Sequence, residues 1–304
     1  MKDFININDF TGEELRSLLE EALTDKQAFK AGKLPAMLAR KTLAMVFEKP
    51  SLRTRVSFEA AMTHLGGHAI YLTNDDIGLG SREAVQDIAR VLGRMCDGIM
   101  ARTFSHEWVE QLGRFASVPV INALTDYSHP CQAMADLMTV WEHFGDVTGK
   151  TLVFVGDGNN VARSLAVACA KLGMKFVIAC PHGYELEEAF KSNLPAEAFS
   201  QTDNAAQAVV DADVIYTDTW VSMGQEQEKL KRVEAFQSFQ VNSDLLAGAP
   251  DHAIVLHCLP AYRDCEITDE AFEAHAETIF SEAENRLHFQ RTLLNVLMGK
   301  GGIG

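Results

Sequence analysis

The sequence lacks most of the patterns that announce a function by themselves. No stretch approaches the roughly 18 consecutive apolar residues of a membrane-spanning helix. The first ten residues, MKDFININDF, carry no apolar run behind a basic segment, so no secretory leader is expected. Six cysteines, Cys96, Cys131, Cys169, Cys180, Cys258 and Cys265, are scattered along the chain and never stand as C-x-x-C. That removes support for a zinc ribbon or a thioredoxin-like redox pair and points to free thiols in a reducing cytoplasm. Positive charge is scarce, with 27 Lys and Arg against 42 Asp and Glu, a formal net charge of −15. Such a field repels nucleic acid and anionic membranes, so neither is an expected partner. An anionic ligand then requires a local cluster of arginines. Carboxylates do not group as a magnesium cage. His64 and His68 have helical spacing, but Gly66 and Gly67 break the helix between them, so no metal pair is expected there.

What is present is ordinary for a folded chain of 304 residues, with 47% hydrophobic and 23% charged side chains. The length fits two domains. Short apolar runs alternate with amphipathic stretches. Thr11 and Glu14 form a capping-box pattern that opens a helix to about Phe29. Strands are expected at Thr42–Phe47, His68–Leu72, Gly98–Ala101 and Val118–Asn122, with helices after Ser51, over Ala84–Met95 and over His106–Phe115. A helix over Gln132–Phe144 leads to the turn at Gly145–Gly149, after which the alternation restarts. Strands TLVFVG, KFVIAC, DVIYTD and AIVLHC follow, with helices near Val161–Leu172 and Glu185–Ser192, a long segment Val221–Arg232 and a last helix over about Ala283–Met298. This order predicts an α/β protein of two doubly wound, mostly parallel sheets, residues 1–145 and 146–285, with residues 286–304 packing back on the first. A ligand cleft is expected between them, at the carboxyl ends of the strands.

Five segments carry polar chemistry at strand ends. Residues 47–55, FEKPSLRTR, open a helix whose free N–H groups, with Ser51 and Thr54 hydroxyls and the Arg53 fork, suit a phosphate. The plainer reading makes Ser51 a cap and pairs Arg55 with Glu59 one turn on. In residues 122–132, NALTDYSHPCQ, His129 beside Pro130 can donate to an oxyanion and Gln132 can hold an amide; alternatively both only shape a turn. Residues 155–161, VGDGNNV, look like a dinucleotide loop, but the third glycine falls on Val161 and the next strand ends in Ala179, Cys180 and Pro181 without an acid for a ribose. Asn160 there can bind a carboxylate or cap the helix. Residues 218–226, DTWVSMGQE, place Asp218 before a Gly-containing loop, suited to a substrate ammonium under a lid or to a surface connection. In VLHCLP, residues 255–260, His257 and Cys258 are adjacent on a strand and point to opposite faces, which argues against a nucleophilic dyad.

The order and spacing of these segments resemble the aspartate/ornithine carbamoyltransferase family nearly end to end. Its S-x-R-T-R motif matches Ser51–Arg55 and its H-P-x-Q motif matches His129–Gln132. On the ornithine branch, the D-x-x-x-S-M-G loop matches Asp218–Gly224 and H-C-L-P matches His257–Pro260. The resemblance implies that Ser51, Leu52 through its backbone, Arg53, Thr54, Arg102, His129, Gln132 and Arg286 bind carbamoyl phosphate. It implies that Asn160, Asp218, Ser222 and Met223 orient ornithine, while Cys258 and the Leu259 carbonyl face its δ-amine. Arg53, His129 and Cys258 become the expected catalytic set, with no cofactor and no metal, in a cytoplasmic homotrimer. Leu52 stands where many members carry Thr, Gly78 where many have a polar side chain reaching a neighbouring subunit, and Glu83–Ala84 where Glu-Ser is common. The implied reaction moves the carbamoyl group of carbamoyl phosphate onto the δ-amine of ornithine, giving citrulline and phosphate. Other readings are transfer to putrescine, acetylornithine or aspartate, a non-catalytic phosphate-binding subunit, or a dehydrogenase, the last disfavoured by Val161.

Overall fold

The computed structural model describes residues 2–78, 83–221, 224 and 226–299. The chain divides into two compact units, Met1–Met138 with Asn285–Gly304, and Thr139–Glu284. Helices of eight or more residues are numbered here together with the strands. The first unit contains α1 (Gly12–Lys30), β1 (Thr42–Phe47), α2 (Leu52–His64), β2 (His68–Thr73), α3 (Val85–Met95), β3 (Gly98–Arg102), α4 (His106–Phe115) and β4 (Val120–Leu124). Helix α5 (Pro130–Phe144) carries the chain across the division. The second unit holds β5 (Thr151–Val155), α6 (Asn160–Lys171), β6 (Lys175–Ala179), β7 (Phe199–Thr202), β8 (Val214–Thr217), α7 (Lys229–Phe236) and β9 (Ile254–His257). Helix α8 (Ala276–Leu294) returns the chain to the first unit.

Both sheets are parallel, ordered β2-β1-β3-β4 and β7-β6-β5-β8-β9. This is the expected α/β class of two parallel-sheet domains. Central strands are apolar on both faces because helices cover both, so Leu43–Phe47, Ile99–Ala101 and Val214–Tyr216 are buried throughout. In the first unit Ala44, Val46, Ile99 and Val120 pack with Ile88 of α3 and Val109 and Leu112 of α4. In the second, Val153, Ile215 and Val255 pack with Trp220, Phe236 and Phe272. Each fully buried side chain of this size contributes about 1.5–3 kcal/mol.

Helix starts follow local chemistry. Thr11 and Glu14 form the capping box at α1, with the Thr11 amide donating to Glu14 Oε2 at 2.7 Å. Ser51 caps α2 by accepting from the Thr54 amide at 3.3 Å. At α6 the cap is Asn159, not Asn160: its Oδ1 accepts from the amides of Val161 and Ala162 at 2.9 and 3.0 Å.

Some boundaries differ from expectation. The helix foreseen over Glu185–Ser192 is a single turn at Glu188–Lys191, because Pro195 and an exposed polar stretch follow closely. Strand β7, sequence FSQT, pairs at the sheet edge, where half-exposed polar residues are tolerated. Within the long segment that ends at Arg232, α7 begins at Lys229. The last helix starts at Ala276, nearly two turns before the expected start at about Ala283.

Candidate active site

In the first unit, two residues distant in sequence, Arg102 and Arg286, converge on Thr54, which is wholly buried. Arg286 of α8 donates from Nη2 to Thr54 Oγ1 at 2.7 Å, across 232 positions of sequence. Its Nη1 donates to Gln132 Oε1 at 2.6 Å, and Gln132 Nε2 donates onward to Asp136 Oδ1 at 2.7 Å. Arg102, at the carboxyl end of β3, reaches the same Thr54 hydroxyl from Nη1 at 3.4 Å, and Ser51 Oγ donates to it at 3.1 Å. These residues were all singled out in the sequence, and the fold brings them together. Asp136 was not; it lies one turn beyond Gln132 on α5 and fixes that amide's orientation.

Electrostatics give the cluster a sign. His129 is buried, and Arg286, Arg102, Arg53 and Lys49 surround it. Burial first, then those four cations, hold its imidazole well below the ordinary histidine range. The ring is therefore neutral near pH 7 and carries one N–H that it can donate. Lys49 is buried, ion-paired to Asp126, and sits over the Phe104 ring at 4.0 Å. Cys131 is inert, because burial pushes its thiol up to about 12, and its Sγ donates to the Asn122 carbonyl at 3.4 Å. Leu52, the first residue of α2, is 75% exposed, so its side chain is not packed into the cluster. Arg55 bonds Glu59 at 3.0 Å and covers the Tyr71 ring at 4.0 Å, the plainer of its two readings. Concentrated guanidinium groups at the N-terminus of α2 suit a multiply charged anion.

In the second unit, Asp218 directly follows β8 and is the hub. Its Oδ1 accepts from Cys258 Sγ at 3.0 Å and from the Thr219 amide at 2.7 Å, and its Oδ2 accepts from Asn159 Nδ2 at 2.8 Å. Cys258 follows β9, and Leu259 adopts a left-handed backbone with φ 57°, which costs a non-glycine residue about 1–2 kcal/mol. His257 points away from Cys258, as the strand alternation requires, with Nε2 at 3.1 Å from Glu266 Oε1. Asn160 is the first residue of α6, and its carbonyl accepts from Ser164 Oγ at 2.9 Å. Ser222 and Met223 lie outside the described residues. Gly78, at φ 62°, ends a short helical turn after β2.

Asn159 and Arg232 had no separate signal in the sequence. Asn159 caps α6 and also steadies Asp218. Arg232 donates from Nη1 to Asp157 Oδ2 at 2.9 Å and to the Trp220 carbonyl at 3.0 Å, tying α7 to two loops. The glycine pattern beside Asp157 has a packing cause: a Cβ on Gly158 would lie 2.7 Å from backbone atoms of Glu185 and Leu186. Among the described residues, no group of three or more His, Cys, Asp or Glu side chains could hold a metal ion, and no helix is long and apolar enough to cross a membrane.

Residues 2–142 match the carbamoyl-phosphate-binding domain of aspartate/ornithine carbamoyltransferase, and residues 148–297 match its Asp/Orn-binding domain. The chain is 50% identical to the ornithine carbamoyltransferase of Pyrococcus abyssi over 304 residues, covering 98% of this chain and 96% of that protein. It is also 50% identical to the enzyme of that name from Methanosarcina mazei, over 98% of this chain and 99% of that one. Among solved structures, the ornithine carbamoyltransferase of Pyrococcus furiosus superposes with a TM-score of 0.94 at 48% identity, covering 100% of this chain and 98% of that one. The anabolic enzyme of Campylobacter jejuni gives 0.92 at 40% identity, over 98% and 99% of the two chains.

Proposed function

The chain belongs to the aspartate/ornithine carbamoyltransferase family, and from that premise we infer that it transfers the carbamoyl group of carbamoyl phosphate to the δ-amine of L-ornithine, giving L-citrulline and phosphate. The observation that carries this reading is the presence of two complementary clusters. Buried arginines converge on Thr54 in one unit, and a carboxylate–thiol pair, Asp218 and Cys258, stands in the other. The first suits a phosphate and the second an ammonium or amine.

In this proposal residues 1–145 with 286–304 hold carbamoyl phosphate and residues 146–285 hold ornithine. Ser51, the Leu52 backbone, Arg53, Thr54, Arg102 and Arg286 take the phosphate oxygens, and His129 and Gln132 hold the carbamoyl carbonyl and amide. Asn160, Asp218, Ser222 and Met223 orient the amino-acid end of ornithine, and Cys258 with the Leu259 carbonyl meets the δ-amine. The neutral amine attacks the carbamoyl carbon, a tetrahedral oxyanion forms, and the C–O bond to phosphate breaks. The amine's surplus proton leaves with the phosphate. Neutral His129 donates an N–H to the oxyanion while Arg53 and Thr54 take charge developing on the leaving group. Holding both reactants in place supplies up to about 7–11 kcal/mol of the barrier reduction. No protein nucleophile enters this scheme.

A homotrimer in the cytoplasm, serving arginine biosynthesis, completes the proposal. Its support is the family resemblance and the relative from Pyrococcus furiosus named anabolic, 49% identical over 304 residues. The test is a citrulline assay with purified protein, carbamoyl phosphate and a panel of amines. Ornithine should exceed putrescine, acetylornithine and aspartate by at least about 100-fold in kcat/KM, since analogues leave polar groups of the site unpaired. Equal or better turnover of putrescine would sink the ornithine assignment.

A further inference from the structure

We propose that His257 and Glu266 are a positioning pair that holds the Cys258–Leu259 turn in the shape that meets the δ-amine; this rests on the ornithine reading above. Both side chains are buried, at 0% and 1% exposure. The Leu259 amide donates to His257 Nδ1 at 2.9 Å. A backbone amide can only donate, so Nδ1 must carry a lone pair and the ring proton must sit on Nε2. Nε2 lies 3.1 Å from Glu266 Oε1, which accepts this N–H. Glu266 thereby selects the one tautomer that leaves Nδ1 free to receive the Leu259 N–H.

The rest of the loop is built around this chain of bonds. Glu266 Oε1 also accepts from the Tyr262 amide at 2.5 Å, closing the segment that follows the turn. The Val241 amide donates to the Glu266 carbonyl at 2.8 Å, and the neighbouring Ile267 is wholly buried, so the carboxylate does not drift. On the other side, the His257 amide donates to Glu282 Oε2 at 2.7 Å, fixing the end of β9. Leu259, at φ 57°, holds a backbone conformation that side-chain-bearing residues avoid unless neighbouring bonds impose it. The bond to His257 Nδ1 is the one that lands on its amide. Its loss turns the Leu259 carbonyl and the Cys258 thiol away from the amine while leaving the arginine cluster of the other unit intact.

Three variants of the full chain separate positioning from packing. His257→Gln keeps a donor at the distance of Nε2 but places no acceptor at Nδ1. His257→Asn keeps an acceptor near Nδ1 and gives up the contact with Glu266. Glu266→Gln adds an amide donor that admits the other tautomer. Steady-state kinetics with ornithine varied, binding of phosphate alone, and thermal melting are measured on each. His257→Gln should lose on the order of 10²-fold in kcat/KM for ornithine, the usual cost of about 1 Å of misplacement, with phosphate affinity unchanged. Glu266→Gln should move the same way, and His257→Asn should recover at least about tenfold of the loss, because it restores an acceptor for the Leu259 amide. Wild-type ornithine kinetics in His257→Gln, equal losses in the two His257 variants, or a parallel fall in phosphate affinity overturns the proposal. If His257→Gln does not fold, higher activity in His257→Asn than in Glu266→Gln supports the pair, and the reverse order refutes it. Failure of the unaltered protein to form citrulline from ornithine would instead remove the functional reading, and this inference with it.

Discussion

The neutral state of His129 makes the folded protein sensitive to mild acid, and one substitution isolates the effect. Burial and the neighbouring Arg286, Arg102, Arg53 and Lys49 hold the folded imidazole well below the ordinary value. In the unfolded chain the ring titrates near about 6.5. Below that pH the unfolded state takes up a proton that the folded state refuses, so stability is full above about pH 6.5 and falls as pH drops. At about pH 5.5 the unfolded ring is roughly nine-tenths protonated, and the linkage destabilises the fold by on the order of 1 kcal/mol; at about pH 7.5 the effect all but vanishes. His64, His106 and His275 are also lowered by burial, but they remain in a His129→Gln variant and cancel in the comparison. Urea unfolding of both proteins at the two pH values gives the difference directly. Wild type should lose on the order of 1 kcal/mol more than His129→Gln on acidification. Parallel losses would mean that the folded imidazole protonates freely, and the neutral-donor role assigned to it would fall.

Three further outcomes are expected. Arg286→Met removes the donors to Thr54 and Gln132 and should lower kcat/KM for carbamoyl phosphate by roughly 10²–10⁴, with the KM for ornithine little changed; initial-rate kinetics with each substrate varied would expose a uniform effect as contrary evidence. Cys258→Ser keeps a donor for Asp218 but removes the polarisable thiol, so kcat should drop, ornithine binding should weaken and the alkaline limb of the pH–rate profile should shift; wild-type kcat with an unchanged profile removes Cys258 from the mechanism. Gly158→Ala forces a Cβ to within 2.7 Å of backbone at Glu185 and Leu186, which should destabilise the second unit by about 1–3 kcal/mol, read as a lowered melting temperature, and a wild-type melting curve would show that the loops part easily.

The parallel-sheet architecture was legible in the sequence because its strands are short apolar runs buried on both faces, a pattern that alternating surface strands do not produce. Thr42–Phe47 is the clearest case, with only its first residue short of full burial. Strand β7 escaped because FSQT has no apolar run; it exists through its bonds to β6, which no local pattern records. The same division holds within the candidate site. Ser51, Thr54, His129 and Gln132 sit at strand–helix junctions, where turn chemistry leaves a local mark. The bond from Arg286 to Thr54 spans 232 positions and leaves none; only the likeness to a family joined them.

Short-range errors have a different cause. Asn159 and Asn160 are adjacent and alike in chemistry, and composition cannot say which of two neighbouring asparagines takes the non-helical cap position. The backbone decides: Asn159 is extended at φ −89° and ψ −170°, so its Oδ1 can turn onto two helix amides while its Nδ2 reaches Asp218. The apparent dinucleotide loop arises from a related demand. A strand that turns sharply into a helix beneath another loop needs a residue without a Cβ where the two backbones meet, whether or not a nucleotide is bound. Gly158 meets that need against Glu185 and Leu186. Its neighbour Asp157 points to Arg232 at 2.9 Å, so this turn supplies a carboxylate brace where a pyrophosphate site would require open amides.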